Sequence, residues 1–99
     1  MASLEAAPTV QLPPEQVEAI SRAIADPRRF EMLQQIAKEP ALYCSALHVQ
    51  ECLSPATISH HLKELQTAGL VEMVREGRAV RMSLRRDVWA AYLGQLAAL

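Results

Sequence analysis

Glycine is scarce in this chain of 99 residues, three in all, and its scarcity removes whole classes of chemistry. No glycine-rich loop is available to cradle a phosphate, and no Gly-x-Ser-x-Gly turn to present a nucleophilic serine. Long apolar runs are missing too. Nothing approaches the roughly 18 residues that a membrane span needs, and the start lacks the basic, apolar and small-residue succession of a secretory leader. A cytoplasmic protein with no membrane attachment is therefore expected. No internal repeat or low-complexity tract interrupts the chain. An excess of charge of one sign is absent as well: ten basic side chains face eleven acidic ones, short of the strongly basic balance of many nucleic-acid binders.

What is present suits one globular domain. Half the residues, 51%, are hydrophobic, with charge interspersed among them. Residues 1–13, with Ala7-Pro8 and Pro13, read as a disordered arm, and residues 14–99 as the folded unit. The distribution of charge says more than its total. Residues 1–53 carry −3, residues 54–86 carry +3, and residues 87–99 carry −1 from Asp87 alone.

The basic segment opens with clear punctuation. Ser54 stands where a side-chain oxygen caps free backbone N–H groups, Pro55 follows at the first helical position, and Gly69 closes the helix thirteen residues beyond Ala56. At 100° per residue, Ile58, His61, Leu62 and Leu65 share one face; Ala56, Ser59, His60, Lys63 and Thr67 share the other. The second set is small, polar and mildly basic, which suits a helix lying in a major groove about 12 Å wide. Ser54, Ala56, Thr57, Ser59, His60, His61 and Lys63 are accordingly the candidate DNA-reading residues, with His61 half-buried on the inner side.

The neighbours on each side sharpen that reading. Upstream, Ser45 to Cys52 reads as a short helix, joined through Leu53 by a connection of helix-turn-helix length. Downstream, Leu70–Arg75 and Arg78–Leu84 read as strands, with Leu70 and Val74 as the inward apolar positions of the first, and Val80, Met82 and Leu84 opposed to Ala79, Arg81 and Ser83 in the second. Glu76-Gly77 is the expected turn. Arg75, Arg78 and Arg81 would then offer guanidinium groups to phosphates or to a minor groove. The fold class expected is mainly α with a β-hairpin wing (α+β), a winged helix-turn-helix in the order α-α-α-α-β-β-α.

Two further helices precede the motif, Pro14–Ile24 and Pro27–Ala37, the latter capped by Asp26; Pro40–Tyr43 reads as an extended link. A last helix, capped by Asp87, runs from Val88 to Leu99 and is apolar nearly all round. A helix with two apolar faces needs two partners. Val17, Ile20, Trp89, Tyr92, Leu93 and Leu96 are therefore the candidate surface for a second copy related by a two-fold axis. Such a homodimer sets two reading helices about 34 Å apart and calls for double-stranded DNA bearing an imperfect palindrome.

Three segments in this order, Ala25-Asp26-Pro27-Arg28-Arg29-Phe30-Glu31-Met32-Leu33, Ser54 to Leu65, and Ala68-Gly69-Leu70-Val71 leading into Arg75-Glu76-Gly77-Arg78, resemble the ArsR/SmtB-type bacterial winged-helix regulators over roughly Ile20 to Leu84. The resemblance implies a homodimeric transcriptional repressor that releases its operator when an effector, here unknown, is sensed. Metal-sensing members carry a Cys-Val-Cys element or Asp/His and His/Glu pairs on the terminal helix. Here Tyr43 and Ser45 stand where those cysteines would fall, and the terminal helix has Asp87 but no histidine. No metal site carries over, and no cofactor is expected.

Cys44 is a candidate thiol sensor, because a thiol just before a helix N-terminus sits in positive potential that lowers its pKa. Cys52 lies eight residues on, about 12 Å along a helix and too far for a disulfide. His60 and His61 are adjacent, so they point about 100° apart and cannot share one metal. His48 reads as solvent-facing. A Cys44–His48 pair at i, i+4 is the one nucleophile–base arrangement present, and nothing marks a substrate cleft around it, so no enzyme is expected. The rival to DNA reading is a winged-helix domain used for protein interaction without operator recognition.

Overall fold

The computed structural model describes residues 11–48 and 53–99. Among them are four α-helices and a three-stranded antiparallel sheet: α1 (Pro14–Ala25), α2 (Pro27–Ala37), β1 (Leu42–Tyr43), a 3-10 turn (Cys44–Ala46), α3 (Pro55–Thr67), β2 (Val71–Glu76), β3 (Ala79–Leu84) and α4 (Arg86–Ala97).

One residue makes the corner between α1 and α2. Asp26 ends the first helix in extended geometry, and its Oδ1 accepts from the Arg28 and Arg29 backbone N–H groups at 2.9 and 3.3 Å, capping the second. Pro27 at the first helical position has no N–H to leave unpaired. The start of α3 repeats this device: Ser54 Oγ accepts from Thr57 N at 3.1 Å and Pro55 follows. Its end is a Schellman arrangement around Gly69, whose φ is +82°. Gly69 N donates to Gln66 O and Leu70 N to Leu65 O, at 2.9 and 3.1 Å, which brings the fully buried Leu65 and Leu70 together. From α1, Gln16 Nε2 donates to the Ala68 carbonyl at 3.2 Å, so the end of α3 is held from two sides.

The sheet runs in the order β1-β3-β2, with Val71 opposite Leu84, Met73 opposite Met82 and Glu76 opposite Ala79. The hairpin loop is therefore Gly77-Arg78, one residue later than Glu76-Gly77; Gly77 takes φ +62° and Arg78 does not, as a type II′ turn requires. Pro40–Tyr43 was expected as a link, and its last two residues instead form a strand, Leu42 pairing with Met82 and Tyr43 with Arg81. The inner face of β2 is also one residue out of step with the expected alternation. Leu70 belongs to the Schellman turn, so the strand begins at Val71; Val71 is buried, whereas Val74 is exposed on the outer face.

Ile20, Met32, Ile36, Leu65, Leu70 and Met82 form the fully buried centre, where α1, α2 and α3 meet the inner face of the sheet and the buried side of α4. Three other expectations are corrected at the edges of this core. Leu12, assigned to a disordered arm, is buried, and its N–H donates to Gln95 Oε1 at 3.0 Å, so the ordered chain starts upstream of residue 14; residues 1–10 lie outside the described residues. The helix expected over Ser45–Cys52 is a 3-10 turn at Cys44–Ala46 followed by non-helical Leu47 and His48, with residues 49–52 outside the described residues. Asp87 does not cap α4. It lies inside the first turn and accepts from Arg85 Nε and Nη2 at 3.2 and 3.0 Å.

Candidate nucleic-acid interface

The outward face of α3 is open to solvent. Ser54, Ala56, Ser59, His60 and Lys63 are exposed, and Ile58, Leu62 and Leu65 turn inward. Thr57 is half-buried, and its Oγ1 lies 2.9 Å from Ser54 Oγ, so the hydroxyl pair completes the cap. Hydroxyls, an imidazole and an ammonium thus project from one helix whose first turn is pinned, and such groups can hydrogen-bond to base edges.

His61 departs from its place among the reading residues. It is 6% exposed, the one buried polar or charged residue among the described residues, and sits under α3 against α2. Its Nδ1 lies 3.4 Å from Arg29 Nη1. Burial pushes the His61 pKa down, the nearby arginines push the same way, and Asp26 opposes them. Arg29 and Asp26 were not anticipated as site residues. The signal was there in the Asp26-Pro27-x-Arg29 spacing, read only as a helix start.

The wing places its arginines on different sides. Arg75 lies opposite Val80 on the inner face, toward α3, and Arg78 occupies the turn. Arg81 lies on the outer face with its Nε 2.9 Å from Glu76 Oε1. Ser59, Leu62, Lys63 and Gln66 of α3 line one open cleft together with Met73 and Val80 of the wing and with Cys44. The helix α3 and the hairpin therefore converge on a single concave surface that an extended polyanion could follow.

Cys44 is half-buried in the lining of that cleft. Burial raises its pKa, the opposite of the expected shift, because three residues of 3-10 helix supply no macrodipole to favour a thiolate. His48 is exposed, and its backbone N–H donates to Gln35 Oε1 at 2.8 Å. Among the described residues no three His, Cys, Asp or Glu side chains gather as a metal site requires, and no helix is long and apolar enough to cross a membrane.

The residues expected at a subunit interface divide. Ile20 is fully buried and Tyr92 is 4% exposed, its hydroxyl 2.9 Å from Ser21 Oγ, so both belong to the protomer's own core rather than to an outer surface. Val17, Trp89 and Leu93 are half-buried and Leu96 is exposed. Trp89 stacks on Tyr92 at 5.6 Å and borders a small apolar cleft with Phe30, Leu33, Ala37 and Leu84.

Residues 24–74 match the model of a helix-turn-helix domain family. No curated protein matches the chain. Among solved structures it is similar to an ArsR-like transcriptional regulator from Rhodococcus sp. RHA1, at 26% identity over 85% of this chain and 78% of that one, with a TM-score of 0.73. It is similar also to NolR from Sinorhizobium fredii, at 27% identity over 91% and 95% of the two chains, with a TM-score of 0.64. A further ArsR family transcriptional regulator, 22% identical, shares the fold with a TM-score of 0.77 over 90% of this chain and 91% of that one.

Proposed function

Because the chain belongs to the helix-turn-helix domain family and has the winged fold of the ArsR-type regulators, we propose that it is a DNA-binding transcriptional regulator, a homodimeric repressor released from an imperfectly palindromic operator by an effector. The observation that carries the reading is the exposed face of α3, from which His60 projects and whose Ser59 and Lys63 share one open cleft with the wing. Base edges are read by Ser59, His60 and Lys63, with Ser54, Ala56 and Thr57 against the backbone near the helix start. Arg75 and Arg78 engage phosphates. The second copy docks on the partly open apolar side of α4, through Trp89, Leu93 and Leu96 with Val17 of α1, and the protein works in the cytoplasm.

In vitro selection of duplexes by the purified protein tests this directly. Recovery of a two-fold symmetric site whose affinity falls steeply between about 50 and about 200 mM salt is expected, since phosphate contacts release condensed counterions. Retention of no duplex at any ionic strength would reassign the domain to protein interaction.

A further inference from the structure

The guanidinium of Arg29 joins three elements at one point. Its Nε donates to the Ala23 carbonyl at 2.9 Å and its Nη2 to the Arg22 carbonyl at 3.4 Å, satisfying the last turn of α1 with a cation where the helix dipole favours one. Its backbone N–H is held by Asp26 at the start of α2. Its Nη1 reaches across to His61 Nδ1 on the underside of α3. The last contact fixes the chemistry of the imidazole. A guanidinium has donors only, so Nδ1 must offer its lone pair and the ring hydrogen resides on Nε2. That Nε2 is buried and finds no hydrogen-bond partner among the described residues. His61 is therefore attached on its polar side by one acceptor contact.

We infer that His61 is a positioning residue for the DNA-reading helix, and that the Arg29–His61 bond is an acid-sensitive latch between α3 and the α1–α2 corner. The latch rests on the proposed reading of DNA by α3. A proton taken from solvent onto Nδ1 turns the one acceptor into a donor facing a cation, so the bond is lost and like charges oppose across it. The charged and titratable groups facing the ring are Asp26 at the corner, Arg28 and Arg29 on α2, and His60 on α3 itself. Asp26 is the sole anion among them and is already committed to two backbone N–H groups and to Arg29. Release lets the underside of α3 move away from α2, and Ser59 and Lys63 leave the register they hold beside the wing, taking the exposed His60 with them.

The sign of the effect separates the latch from ordinary electrostatics. Acidification adds positive charge to any protein and so strengthens its attraction to DNA; unlatching weakens it. Anisotropy titrations with the selected duplex, at fixed ionic strength from about pH 7.5 to about pH 5, compare wild type with His61→Asn, whose amide oxygen takes the place of Nδ1 and gains no proton. Wild type is expected to lose affinity by about tenfold toward the acid end, while His61→Asn holds or gains affinity. Identical pH profiles would overturn the latch. The free wild-type protein supplies an arm that needs neither a variant nor DNA: backbone amide resonances of Ser59–Lys63 should move with the imidazole titration of His61. Amides that stay fixed while the ring titrates would overturn the latch even if no duplex is ever bound, and absence of all duplex binding alongside moving amides removes only the DNA reading.

Discussion

Glu76 Oε1 stands 2.9 Å from Arg81 Nε on the outer face of the wing, so one of the hairpin's three arginines is neutralised inside the molecule. Arg75 and Arg78 have no ion-pair partner among the described residues. Replacing Arg78 by Ala is expected to weaken all duplexes alike and to lower the slope of log affinity against log salt by about 1. Arg81→Ala should change it by clearly less, and Glu76→Gln should strengthen binding to any duplex. Salt-dependent anisotropy measures all three, and equal losses for Arg78→Ala and Arg81→Ala would contradict this division of the wing.

On α3 the expected effect is selective rather than uniform. Ser59 and His60 project from the exposed face, and each can engage a base edge, an interaction that discriminates by about 1–3 kcal/mol per base pair. Ser59→Ala or His60→Ala should therefore flatten preference at one position in each half-site while leaving the salt slope almost unchanged. Repeating the duplex selection with each variant tests it; an unaltered consensus would move the reading surface elsewhere.

The α1–α2 corner predicts a pH dependence of stability. Slight burial acts to raise the Asp26 pKa, but the Arg29 and Arg28 backbone N–H bonds and the Arg29 charge outweigh it and hold the carboxyl below its ordinary 3.8. A carboxyl lowered on folding stabilises fully above its unfolded value and loses that contribution as the pH falls through the folded one. Asp26→Asn keeps a capping oxygen and removes the titration. Urea unfolding midpoints between about pH 5 and about pH 2 should fall less steeply for the variant than for wild type. Asp87, lowered by its hydrogen bonds from Arg85, contributes in the same direction and supplies the slope that remains.

Leu12 ties the start of the chain to its end. It is 6% exposed, and its N–H donates to Gln95 on α4. Leu12→Ala is expected to destabilise by about 2–4 kcal/mol through lost burial and the cavity left behind. Gln95→Ala should cost about 1 kcal/mol by orphaning the N–H. Denaturant unfolding reads both, and a neutral Leu12→Ala would return residue 12 to the arm.

How far the chain could be read in advance follows from how local each signal is. Asp26-Pro27 and Ser54-Pro55 act within one turn, and both helices begin where those pairs stand. Gly69 likewise closes α3 as expected, because a left-handed residue is a local demand. Leu42 and Tyr43 pair with Met82 and Arg81 some forty residues away, and nothing in their own neighbourhood announces a strand. The slip along β2 has the same origin: Leu70 is claimed by the Schellman turn, a contact with Leu65 that alternation alone does not see. Tyr92 on the two-faced last helix and Ile20 on the first looked like surface, yet a core this small absorbs both. The exposed reading face was legible from 100° spacing. The Arg29–His61 contact was not, since it depends on how α2 crosses α3.

Cys44 carries the last expectation, and here burial reverses what position suggested. The thiol is half-buried beside Leu62, Met73 and Val80, its pKa is raised, and the short 3-10 turn offers no helix dipole to offset that. Less thiolate at neutral pH means slower attack on an alkylator or peroxide. With Cys52→Ser as background, iodoacetamide at about pH 7 should label Cys44 in the folded protein at least several-fold more slowly than in urea-unfolded protein, and the difference should narrow as alkali ionises the buried thiol. Duplex affinity of Cys44→Ser should match wild type before and after brief treatment with mild peroxide. Labelling as fast as an unfolded thiol, or release of duplex by peroxide from wild type alone, would show instead that Cys44 is activated by something other than the turn it begins.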